Sequence, residues 1–183
     1  MMNLLGMLLE NQGSPALKQL ASGFGLNEGD ARNVLNEMVP ALSRGMQHNL
    51  SRESGLEDLL GALGKGDHQR YIDQPELLSG DQASREGNAI LGHLLGSKDV
   101  SRRVAGHASG KTGVDEGLLK KMLPVIATMV MGAVSKQAGS QNLLGGKVPG
   151  ATGSGAGLLT QFLDADKDGS VLDDLMGMAG KFL

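Results

Sequence analysis

The chain has 183 residues, 40% of them apolar, and a formal charge of −3. It holds no Cys and no Trp, one Tyr and three Phe. Disulfides are therefore excluded, and the core must be built from Leu, Val, Ile, Met and Ala, a supply that suits helix-on-helix packing better than strands. The acidic balance gives no general attraction to nucleic acid.

In chain order, MMNLLGMLLENQ lacks the basic flank of a signal peptide and reads as a short apolar helix around Gly6. Ser14 and Pro15 suit the cap and first position of a second helix, with Leu17, Leu20, Ala21 and Phe24 on one stripe and Gly23 as its stop. Asn27 caps a long helix whose apolar positions are Ala31, Val34, Leu35, Met38 and Leu42, a helical spacing. Pro40 lies inside it and predicts a kink. Residues 64–88 are polar and turn-rich, with a short helix near Pro75 to Leu78. An apolar helix around Gly92 follows, then one capped by Ser97 with Val100, Val104 and Ala108 on its stripe and Gly110 as its stop. Asp115 caps the next long helix, which carries Leu118, Leu119, Met122, Leu123, Ile126, Met129, Val130 and Ala133, with Pro124 inside. Its apolar run, 122–134, is too short to span a bilayer and predicts a buried helix rather than membrane insertion. Residues 138–157 are Gly-rich and predict a flexible linker; 158–183 predict a short helix, an acidic loop and a closing helix.

Laid against itself, the chain repeats. LLGMLL at 4–9 matches ILGHLL at 90–95, ASG at 21–23 matches 108–110, GLNEG at 25–29 matches GVDEG at 113–117, MVPAL at 38–42 matches MLPVI at 122–126, and LLG at 59–61 matches 143–145. The matches keep one order and an offset of about 86 positions. The expected architecture is all-α: two duplicated helical units packed as a pseudo-twofold bundle, plus a C-terminal helix–loop–helix. The units are 1–64 and 89–137, joined by a polar connector at 65–88; the linker 138–157 leads to the tail 158–183.

The segments GNAILGHLLGSKD, TGVDEGLLKKMLPVIATMVMGAVSKQ and LDADKDGSVLDDLMGMAGKFL, with the Gly-rich spacer before the last, resemble the YidB-like family of small bacterial proteins, a domain of unknown function. The resemblance covers most of 20–183 and is strongest after residue 87. It implies an all-helical fold and brings no activity and no catalytic residues.

The residues themselves offer little catalysis: no Cys nucleophile, no G-x-S-x-G elbow, no phosphate loop and no H-E-x-x-H. His48, His68, His93 and His107 show no metal-ligand spacing, and His93 and His107 read as core histidines with one hydrogen bond each. Lys98, Arg102, Arg103, Lys111, Lys120 and Lys121 form a basic cluster in the second unit that suits phosphate, but without aromatic stacking partners it reads first as a solvated face or a partner for the acidic tail. Met122, Met129, Met131, Met176 and Met178 suit either an adaptable groove or the core.

The sharpest chemistry is FLDADKDGSVLDDLMG. Asp164, Asp166 and Asp168 occupy positions 1, 3 and 5 of an EF-hand-like or dockerin-like calcium loop, with Gly169 at 6 and Ser170 at 7. Position 12 is Leu175, so Asp174 is the expected closing ligand and the site is expected to be weak. A capped helix start explains 169–174 without a metal, but not three alternate aspartates. These readings together predict a cytoplasmic, non-enzymatic binding or scaffolding protein that engages a protein partner or itself and carries a weak calcium loop. A nucleic-acid-associated module and an enzyme with an unrecognised site are the alternatives.

Overall fold

The computed structural model describes residues 14–50 and 66–140, together with positions 6, 8, 59 and 61–63. The described residues are helical with no strand. In order they form α1 (Pro15–Phe24), α2 (Glu28–Leu50), the single turn α3 (Arg70–Asp73), a 3₁₀ segment (Pro75–Ser79), α4 (Asp81–Leu95), α5 (Lys98–Thr112) and α6 (Glu116–Ser140). The tail 158–183 and the linker from residue 141 onward lie outside the described residues, as does most of the expected first helix around Gly6.

The centre of the fold is α6. Every residue from 122 to 135 is buried, so the helix is enclosed on all sides rather than on one stripe, as expected of a helix apolar all round. It touches every other described element. By length and a mean hydropathy of 1.5 the stretch Glu116–Gly139 passes for a membrane span, but 78% of that window is buried inside the fold, as in a core helix. Thr128, fully buried, is accommodated because its hydroxyl donates to the Ala83 carbonyl of α4 at 2.8 Å and lies 3.1 Å from the Pro124 carbonyl.

Around α6, the stripe expected on α2 is buried in full: Ala31, Val34, Leu35, Met38 and Leu42. Two joints share one construction. Gly25 ends α1 at φ 67° and Gly113 ends α5 at φ 74°, the left-handed conformation that glycine adopts without a steric penalty. Two residues later Asn27 Oδ1 accepts the Asp30 N–H at 2.8 Å and Asp115 Oδ1 accepts the Leu118 N–H at 2.9 Å, capping α2 and α6. Ser97 caps α5 through the Val100 N–H at 3.3 Å.

Four expectations change. Gly23 and Gly110 lie inside helices, which run on to Gly25 and Gly113 because only there does the chain turn left-handed. Ser14 precedes α1 without a side-chain capping bond. The expected short helix near Pro75 is the 3₁₀ segment. Finally, α4 begins at Asp81, well inside the stretch read as a polar connector, because its first turns face the core through Ala83 and Gly87. At Gly87 the backbones of α4 and α6 meet: a Cβ there would overlap the Pro124 carbonyl. Gly45 and Gly132 make similar approaches, to the Leu94 and His68 carbonyl oxygens.

Candidate functional site

A cleft of about 760 Å³ opens beside α3 and α4. Its apolar lining comes from Leu59, Ile90, Leu94 and Met131; its polar side comes from Asn49, Asp67, His68, Arg70, Gln82, Glu86 and His93. The tight chain around Gly66 and the turn α3 bring His68 and Arg70 against Glu86 of α4.

Glu86 is the hub. Its Oε1 accepts from Arg70 Nη2 at 2.6 Å and from Gln82 Nε2 at 2.9 Å. The same Arg70 nitrogen donates to the Tyr71 hydroxyl at 3.1 Å, and the guanidinium stands 4.9 Å from the centre of the Tyr71 ring, a cation–π distance. Tyr71 is 1% exposed, and burial pushes its phenol up, so it stays protonated. Arg70 and Glu86 are each about a quarter exposed, so their pair is anchored but not sealed.

His68 is the buried histidine. Burial pushes its imidazole below the ordinary value, against the pull of Glu86 and of its bond to the Ala62 carbonyl, while Arg70 adds to the depression and Asp67 opposes it. The ring is therefore neutral near pH 7. Its Nδ1 is buried without a hydrogen-bond partner and lies 3.6 Å from Glu86 Oε2, too far for a hydrogen bond. His93 and His107, expected in the core, are exposed; His93 lines the cleft, and His107 lies on the surface 3.9 Å from Glu37. The apolar residues beside them in sequence face inward, and the histidines occupy the outer sides of α4 and α5.

The six basic residues do not form one face. Lys98, Arg102 and Lys120 line a second cleft of about 730 Å³, between α4, the start of α5 and the start of α6. Arg103 instead lines a smaller groove between α2 and α5. Met122 and Met129 are fully buried core residues, so the adaptable-groove reading fails for them, while Met131, 3% exposed, lines the cleft beside α3 and α4; Met176 and Met178 lie outside the described residues. The calcium-loop residues Asp164, Asp166, Asp168, Ser170 and Asp174 also lie outside the described residues. Among the described residues, no group of three or more His, Asp or Glu side chains is placed to hold a metal ion.

Sequence reasoning missed His68, Arg70 and Glu86, all in the stretch taken for a connector. One signal was present: the single Tyr of the chain, next to an Arg and within a few residues of a His, in a protein otherwise poor in aromatics. A family model described as a bacterial protein of unknown function, DUF937, matches residues 6–137. No curated protein and no solved structure matches the chain.

Proposed function

The chain belongs to DUF937, a family of bacterial proteins of unknown function, and from that premise we propose a non-enzymatic, cytoplasmic binding protein that engages a protein partner, a second copy of itself included, through the cleft beside α3 and α4. The observation that carries this reading is the cleft's make-up: an apolar lining with both signs of charge at its polar side, fitted to an amphipathic segment of polypeptide. Glu86 is already engaged by Arg70 and Gln82, and no Ser, Thr or Lys lines the cleft among the described residues, which favours binding over acyl or phosphoryl transfer.

The same proposal includes the finer points of the resemblance: a YidB-like protein of two duplicated units, 1–64 and 89–137, related by a pseudo-twofold axis. The matched joints at Gly25–Asn27 and Gly113–Asp115 support the duplication. The tail adds a weak calcium response through Asp164, Asp166, Asp168, Ser170 and Asp174.

Light scattering across a concentration series, with and without calcium, tests this reading. Ala89 is exposed in the cleft, so Ala89→Glu fills it with charge while leaving the core intact. Wild type is expected to associate and Ala89→Glu to remain monomeric; association undiminished in the variant refutes the cleft as the contact. The nucleic-acid alternative draws its support from Lys98, Arg102 and Lys120 in one cleft. Salt-sensitive DNA or RNA binding that disappears in Arg102→Ala with Arg103→Ala would favour it.

A further inference from the structure

The second cleft, between α4 and the starts of α5 and α6, gathers cations that packing does not require. Lys98 and Arg102, one turn apart on α5, and Lys120 of α6 line it with Asn88, Ser97 and Ser101, over Leu91 and Leu123, and no carboxylate is among its lining residues. Lys98 makes no ion pair among the described residues. Arg102 meets Asp99 at 3.0 Å and Lys120 meets Glu116 at 2.6 Å, each pair within one helix and about half exposed or more. Pairs of that kind stabilise a fold little and give way to a better anion. The start of α5 adds to this charge. The Val100 N–H is taken by the Ser97 hydroxyl and the Ser101 N–H by the Ser97 carbonyl, while the Lys98 and Asp99 amides precede the first intrahelical bond and have no backbone partner among the described residues.

Size and shape narrow the ligand. The cleft holds about 730 Å³, within the range of small-ligand sites and more than a bare oxyanion fills. Three cations arriving from two helices suit a tetrahedral dianion, whose three free oxygens each take a donor, better than a planar carboxylate, which one guanidinium satisfies. Below them Leu91, Leu123 and the methylene stems of the cations offer an apolar surface to the body of an ester. The positive charge stops at the cleft. Arg103 lines the groove between α2 and α5, and Lys111 and Lys121 line neither, so the cations form a cup rather than the stripe that a nucleic-acid backbone tracks.

We propose that this cleft binds a small soluble phosphate monoester, its dianionic phosphate held by Lys98, Arg102 and Lys120 and its organic body resting over Leu91 and Leu123. Asp99 and Glu116 are the competitors: on binding, Arg102 and Lys120 exchange these carboxylates for phosphate oxygens. The site shares no residue with the cleft beside α3 and α4 and does not depend on the function proposed for that cleft.

Amide NMR titration of the full chain with phenyl phosphate tests the assignment. Shifts are expected to concentrate on Lys98, Asp99, Ser101 and Lys120 and to saturate on the order of millimolar ligand or below. Arg102→Gln and Lys120→Gln, both at exposed positions, should each weaken binding about tenfold. Glu116→Gln should strengthen it about two- to threefold by freeing Lys120, whereas Asp81→Asn, the same change of charge at the other end of α4, should not. The ester loses its second charge below about pH 6, so affinity should fall there, while that for phenyl sulfate, a monoanion throughout, stays low and flat. No shift at millimolar phenyl phosphate, or shifts unchanged in the Arg102→Gln, Lys120→Gln double variant, overturns the site. Inorganic phosphate binding as tightly as the ester overturns the ester assignment and leaves an adventitious ion only. Tighter binding of an oligonucleotide or of phosphatidate vesicles at equal phosphate concentration overturns the small-molecule assignment in favour of a nucleic acid or a membrane surface.

Discussion

Gly87→Ala and Gly92→Ala are the same chemical change, five positions apart on α4, with opposite expected signs. At Gly87 the added methyl overlaps the Pro124 carbonyl and stands 2.8 Å from Pro124 Cα, where ordinary contact begins at 3.4 Å. Neither side can yield by rotating a side chain, since both surfaces are backbone. The crossing of α4 and α6, the most extensive helix contact in the described fold, must open by ~1 Å or more, and contacts around it lose a quarter to a half of their attraction over such a gap. Overpacking of this kind costs about 1–3 kcal/mol or more, against about 1 kcal/mol gained by placing Ala in a helix. A net loss of about 2–3 kcal/mol is expected, because a rigid contact sits at the upper end of that range. At Gly92 a Cβ meets nothing within 4 Å, so only the helix gain remains, about 0.5–1 kcal/mol. For a domain of this size the thermal midpoint falls by about 5–10 °C in the first variant and rises by about 1–3 °C in the second. Urea melts followed by circular dichroism measure both. A Gly87→Ala protein as stable as wild type refutes the backbone contact between α4 and α6, and with it the placement of the helix that carries Glu86.

The other expectations concern protonation, caps and metal. The unfolded His68 takes up a proton near 6.5 while the folded ring, its pKa depressed by burial, does not. The unfolded state therefore binds more protons, and the contribution of neutral His68 is fully present above pH 6.5 and is lost as pH falls from 6.5 toward the folded value. His68→Asn should flatten that limb in urea midpoints taken across pH; identical slopes in both proteins refute it. Asp73, held below 3.8 by Lys136 and Gln69, loses its contribution only at lower pH, so the two limbs separate. Asn27→Ala and Asp115→Ala should each cost about 1 kcal/mol and add in combination, whereas Ser14→Ala should be near neutral, because it makes no capping bond. Calorimetric titration with calcium should give a dissociation constant on the order of 10⁻⁴ M or weaker, lost in Asp166→Ala and Asp168→Ala. No heat at millimolar calcium, with variants and wild type alike, leaves the acidic loop as a capped turn.

What could be read from the residues followed the size of the side chains. The stripes of α2 and α6 were legible because Leu, Met, Val and Ile mark a buried face at helical spacing whatever surrounds them. The first half of α4 was not, because its buried face is Ala83 and Gly87, and small residues among Gln82, Arg85 and Glu86 look like a polar connector by composition. The same density of glycine hid the helix ends: Gly23 and Gly25, or Gly110 and Gly113, are equivalent as letters and differ only in backbone conformation. The cleft was illegible for a related reason. Its polar cluster joins Arg70 to Glu86, sixteen positions away, across a turn that carries no periodic signal, and His68 rather than His93 is the buried ring because α4 presents the latter outward.

The central place of α6 sets a problem of timing for the ribosome. Among the described elements it is synthesised last, yet α2, α4 and α5 all pack against it. At roughly 5 to 20 residues per second, the apolar stripe of α2 waits on the order of 10 s for the last of the helices that cover it, α1, α4 and α5 having been made before α6. Throughout that interval Val34, Leu35, Met38 and Leu42, all fully buried in the finished fold, lack part of the core that encloses them. The core is therefore completed only when residues 116–140 emerge, and a nascent chain stalled before Glu116 lacks the helix that every other described element touches.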